Sequence, residues 1–130
     1  MLKKTVVDGK GGKVVLMDSI TKVNADDEGA VVVSASHGGT SSGEFALEVP
    51  LKLVVFNDAG GGKDDAGIAA LEMLQGRGVA AATVAHTSGR IGDSLDMWEN
   101  GVLSHVNAKA QELGLSDGDE VRDKLTNLVT

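Results

Sequence analysis

Hydrophobic positions fall into short blocks separated by glycine-rich or acidic turns. Lys3–Val7 and Lys13–Met17 flank Asp8-Gly9-Lys10-Gly11-Gly12, a pattern that predicts an antiparallel hairpin. Ser19–Val23 reads as an extension of the second strand or as a further one, followed by the acidic turn Asn24-Ala25-Asp26-Asp27-Glu28-Gly29. From Ala30 the blocks lose their alternation. The run 30–35 is apolar but for Ser34, as expected of a strand covered on both faces. Ser41 and Glu44 have capping-box spacing for a short helix, which Pro50 stops, and Leu51–Phe56 is the next strand.

The alternation continues downstream. Asp64 or Asp65 is placed to cap a helix through Gln75, with Ile68, Leu71 and Leu74 on one side and Gly76 at its end. Val79–Ala85 is a third strand. Asp93 or Ser94 opens a long helical region to about Leu113, in which Leu95, Val102, Val106, Ala110 and Leu113 recur at helical spacing. Glu99-Asn100-Gly101 is a candidate break within it, and Gly114 closes it. Leu115–Thr130 holds the turn Asp117-Gly118-Asp119 and one short further element.

Strands separated by helices pair in parallel through crossovers. The predicted class is α/β: a small three-layer domain with a parallel β-α-β-α-β core and an N-terminal antiparallel β extension. The core strands are Val31–Ala35, Leu53–Phe56 and Ala80–Ala85. Residues 1–130 read as one domain, with 1–29 the extension, 30–114 the core and 115–130 a tail element.

Composition narrows the function classes. A net charge of −7 and only three aromatic residues (two Phe, one Trp) argue against nucleic acid, which needs cations and stacking surfaces. No apolar run is long enough to span a membrane, and the first residues carry no signal-peptide core. The absence of cysteine excludes disulfides and thiol chemistry and fits a cytoplasmic protein. Glycine is the outlier, with 18 residues, about twice the usual share.

The glycines gather where the three core strands end. The first strand runs into Ser36-His37-Gly38-Gly39-Thr40-Ser41-Ser42-Gly43, the second into Asn57-Asp58-Ala59-Gly60-Gly61-Gly62-Lys63, and the third into His86-Thr87-Ser88-Gly89-Arg90-Ile91-Gly92. Parallel strands share a carboxyl edge, and ligands bind outside it. His37, Asp58 and His86 would therefore meet at one site, as proton-transfer groups with Asp58 orienting a histidine or acting as base. Gly38, Gly39, Thr40, Ser41, Lys63, Ser88, Gly89 and Arg90 would hold an anionic substrate through amides, hydroxyls and charge. Capping alone also explains Gly, Ser and Asp at such turns, and His105, Met97 and Trp98 read as structural or interface residues.

Named motifs add little. The Gly60–Lys63 run lacks phosphate-loop spacing, no G-x-G-x-x-G follows a strand, and no G-x-S-x-G accompanies His37-Gly38-Gly39-Thr40. His37, Asp58 and His86 would suit a metal if they converged, but loops rich in amide donors favour an anion, so no metal or cofactor is expected. The expected function is a small-molecule enzyme, a hydrolase or lyase, acting on a carboxylated or phosphorylated compound. The alternative is a non-catalytic anion-binding or regulatory module. Surplus apolar residues in 95–106 also predict a homo-oligomer, with Trp98 or His105 near the interface.

Overall fold

The valine-rich blocks form strands covered on both faces: Val31, Val32, Val33, Leu53, Val54, Val55 and Phe56 expose essentially nothing. The computed structural model describes residues 2–61 and 63–130, and the side chains of Lys63 and Asp64 lie outside the described set. Six strands form one sheet among the described residues: β1 (Lys3–Gly9), β2 (Gly12–Met17), β3 (Val31–His37), β4 (Leu53–Asn57), β5 (Ala81–Val84) and β6 (Leu103–Val106). Their spatial order follows the chain. β2, β3, β4 and β5 are parallel, while β1 and β6 run antiparallel at the two edges.

The helices are α1 (Thr40–Ala46), α2 (Ala69–Gly76), α3 (Ser94–Asn100), α4 (Ala108–Glu112) and α5 (Val121–Val129). Alternate residues of the strands feed two separate cores. On one face Val15, Val32, Val54 and Phe56 pack with Ala46 of α1 and Ala70, Leu71 and Leu74 of α2. On the other, Leu16, Val33, Val55 and Val84 pack with Met97 and Trp98 of α3, Ala110 of α4 and Val121, Leu125 and Val129 of α5. This is the three-layer α/β arrangement expected. None of the described helices is long and apolar enough to cross a membrane.

Several local expectations are corrected. The hairpin is present, but its second strand also pairs with β3, so the parallel set has four members. Residues Ile20–Lys22 form a 3-10 turn capped by Ser19 instead of a strand. The Ser41–Glu44 capping box is not made: α1 starts two residues earlier than that cap would set it, with Gly39 at the cap position and no side-chain cap. Before α2 a 3-10 segment spans Lys63–Ile68, and Ile68, not an aspartate, occupies the cap position of α2. Gly76 lies inside the last turn of α2, and Gly78, with φ +75°, follows its end.

The largest correction falls on the long helical region. It is α3, then strand β6, then α4. Val102 and Val106 stand four residues apart, which is one helical turn and equally two strand pleats, so their spacing alone did not discriminate. Gly101 stands at the exit from α3: in the extended conformation the chain adopts there, a Cβ would fall on the Met97 carbonyl oxygen, so this exit requires glycine. The C-terminal element is the nine-residue α5, which covers the face where a second subunit was expected. Trp98 is accordingly a core residue, 5% exposed. His105 lies on β6, exposed.

Candidate functional site

The positions of the helices locate the crevice. β3 and β4 are followed by α1 and α2 on one face, whereas β5 is followed by α3 on the other. Between β4 and β5 the two outgoing loops therefore separate, and in open α/β sheets ligands bind at such a switch point. Asp58 directly follows β4, and His86 stands two residues beyond β5.

These two residues touch. Asp58 Oδ1 lies 3.3 Å from His86 Nδ1 and also accepts the His86 amide at 3.1 Å and the Gly60 amide at 2.8 Å. Asp58 is 6% exposed, whereas the His86 side chain is 53% exposed. Burial pushes the Asp58 carboxyl up. Hydrogen bonds from the Gly60 amide, the Ser104 hydroxyl and the His86 amide and ring outweigh it, and the carboxyl is held below its usual range. An ionised carboxylate can only accept, so His86 Nδ1 carries the proton and neutral His86 presents an unprotonated Nε2.

The loops around this pair are fixed by Asn57, which is fully buried. Its Nδ2 donates to the Gly89 carbonyl at 2.7 Å and its Oδ1 accepts the Ala59 amide at 2.9 Å. One side chain thus ties the loop after β4 to the loop after β5. Gly60, at φ +78°, lies against the His86 ring, and a Cβ there would sit 3.4 Å from it. Gly67 packs on the Asp58 carbonyl so closely that no Cβ fits.

The other sequence-predicted residues separate into those inside the structure and those on the rim. His37 turns back on its own loop, where Nδ1 accepts the Gly39 amide at 3.1 Å. The Gly38 amide donates to the Asn57 carbonyl at 3.1 Å. Both amides expected to hold an anion are thus engaged, since a strand end and a histidine already use them. Thr40 and Ser41 are exposed at the first turn of α1, whose leading amides have no intrahelical acceptor. Ser88 is half-buried and lines the cleft beside His86, but its hydroxyl is engaged: it donates to the Ala85 carbonyl and accepts the Val102 amide. Gly89 is buried, and a Cβ there would lie 2.9 Å from the Met97 Cα. The Lys63 side chain lies outside the described residues.

Arg90 stands with His86, Thr87 and Ile91 around an open cleft of about 370 Å³. Asp96 shares this cleft, accepting the Arg90 amide at 2.8 Å. That bond, the Asn100 amide and the Arg90 charge lower the Asp96 carboxyl. Among the described residues no three His, Asp or Glu side chains gather as a metal set, so His37, Asp58 and His86 do not form one.

Two polar groups beside the pair escaped the sequence reading. Thr83, buried on β5, and Ser104, on β6, have hydroxyls 2.9 Å apart, and His105 Nδ1 lies 3.2 Å from each. They were hidden because β6 was read as helix. No protein-family model, curated protein or solved structure matches the chain.

Proposed function

We propose that the protein is a small-molecule hydrolase or lyase working at the β4–β5 switch point. The observation that supports this most is the Asp58–His86 contact, a buried carboxylate set against an exposed imidazole at the sheet's carboxyl edge. Asp58 orients the ring and stabilises the imidazolium that forms, and Nε2 of His86 takes a proton from water or substrate. Asp58, His86 and the rim form the working set. His37, tied to Gly39, contributes at most a ring edge to the wall.

The cleft beside His86 would take the anionic part of a carboxylated or phosphorylated substrate. Arg90 supplies the charge there, with Thr87 as a hydroxyl donor and Thr40 and Ser41 on the same sheet edge. Ile91 at 46% and Leu95 at 42% are the large hydrophobic residues left exposed among the described ones, and both lie in the segment after β5. We place a second copy of the chain over them, closing a cleft too open to exclude water by itself. The lack of cysteine suits a reducing cytoplasm.

The test combines binding and turnover. Inorganic phosphate and small dicarboxylates should raise the melting temperature of the wild type but not of Arg90→Gln. A panel of small anionic esters and amides should yield a turnover that His86→Gln and Asp58→Asn abolish and His37→Gln leaves. Anion binding with no His86-dependent turnover would favour the non-catalytic module. Equal anion stabilisation in Arg90→Gln would remove the site altogether.

A further inference from the structure

We propose that His105 is the second acid–base group of this site, and that the cleft it lines receives a leaving group that departs as an amine. This rests on the hydrolase reading above. The cleft lies between α2 and β6, measures about 450 Å³, and is within the size range of small-molecule sites. Its walls are Ile68, Leu71 and Val106, with the carboxylates of Asp65 and Glu72. Among the described residues it holds no cation except a protonated His105, so its charge suits a neutral or cationic group and opposes an anionic one.

The geometry joins this cleft to the first one. The Thr83 and Ser104 hydroxyls hold Nδ1 of His105, leaving Nε2 to the cleft side of an exposed ring. His105 pairs with Thr83 across β5–β6, and His86 lies three residues beyond Thr83. Val84 pairs with Leu103 at the carboxyl end of β5, so both histidines stand near that edge, one just beyond β5 and the other on the neighbouring β6. A small amide laid across the edge would present its acyl part to one and its amine to the other. Among the described residues the charged groups facing His86 are Asp58, Arg90 and Asp96, and those facing His105 are Asp65 and Glu72.

The step balances with water as co-reactant. Water attacks the carbonyl carbon while its proton passes to Nε2 of His86. The C–N bond breaks, its electron pair stays on nitrogen, and nitrogen takes the Nε2 proton of the His105 imidazolium. The products are a carboxylic acid and an amine. Solvent then carries the proton from His86 back to His105. The Thr83 and Ser104 hydroxyls are positioning groups that keep the His105 ring aimed into the cleft.

N-Succinyl benzylamide carries an anion on its acyl part and an apolar amine, and it serves with benzylamine and succinate as probe. In NMR titrations of the full chain, benzylamine should shift the His105 ring and the Ile68 amide saturably, and Glu72→Gln should weaken it about three- to five-fold. Succinate should move His86 and not His105. Turnover of N-succinyl benzylamide should fall at least tenfold in His105→Gln and about two- to three-fold in Ser104→Ala, as expected of an acid and of its positioning group. Absence of benzylamine shifts at His105, no turnover by the wild type, or equal turnover by wild type and His105→Gln overturns the proposal. Turnover that survives His86→Gln but not His105→Gln would instead overturn the Asp58–His86 reading.

Discussion

Asn57 is the fastener of the site, and replacing it has a cost that can be worked from its two bonds. Asn57→Ala removes a donor to the Gly89 carbonyl, which is buried, and an acceptor from the Ala59 amide, which faces solvent. The stranded carbonyl costs about 1–3 kcal/mol and the solvated amide about 0.5–1 kcal/mol, so the loss should be about 1.5–4 kcal/mol. Asn57→Asp keeps the bond to Ala59 but turns a carboxylate oxygen toward the Gly89 carbonyl in a buried place. An unpaired buried charge is dearer, about 3–5 kcal/mol. A carboxyl so placed has a raised pKa, so its penalty appears as the pH rises through that value and fades when the group is protonated and donates to Gly89. Urea unfolding at pH 5 and pH 8 therefore separates the variants: Asn57→Asp should be the weaker at pH 8, and the gap should shrink at pH 5. If Asn57→Asp were as stable as the wild type at pH 8, the buried clamp would not exist.

Other outcomes follow from the same contacts. Leu125→Ala, at a fully buried site of α5, should cost about 2–5 kcal/mol and red-shift the fluorescence of Trp98, the single tryptophan, if α5 covers α3 as described. Gly67→Ala should shift the loop that carries Asp58, since its Cβ lands on the Asp58 carbonyl, and should change the His86 ring signals even if the fold persists. For Asp18, burial pushes the carboxyl up, but bonds from Ser94 and the Leu2 amide outweigh it and lower it. Both Asp18 and Asp58 have depressed values, so each adds stability above the unfolded pKa of about 3.9, and that stability is lost as pH falls through the lower folded value. Acid titration of Asp18→Asn and Asp58→Asn should accordingly show shallower stability loss below about pH 4 than the wild type.

The sheet was legible because its central strands announce themselves. Unalternated apolar runs at Val31–Val33 and Leu53–Phe56 have no simpler reading than strands buried on both faces. The carboxyl edge followed from strand order alone, and with it the neighbourhood of Asp58 and His86. The strand 103–106 was not legible, since Val102 and Val106 fit both periods and Gly101 acts through a contact with Met97 that no spacing reveals. That one error concealed Thr83, Ser104 and His105 as a group. The split between His37 and His86 was equally out of reach. Both follow strands and lead into glycine loops, and only three-dimensional placement gives one a carboxylate and the other an amide.

That split supplies the most direct measurement. The ¹⁵N spectrum of the imidazoles above pH 8, where unperturbed histidines are neutral, reports which ring nitrogen holds the proton. Asp58 requires the Nδ1–H form for His86, while the Gly39 amide requires the Nε2–H form for His37. The account predicts these opposite tautomers in the wild type, and in Asp58→Ala a shift of His86 toward Nε2–H with His37 unchanged. An Nε2–H form for His86 in the wild type, indifferent to Asp58→Ala, would contradict the account at its centre.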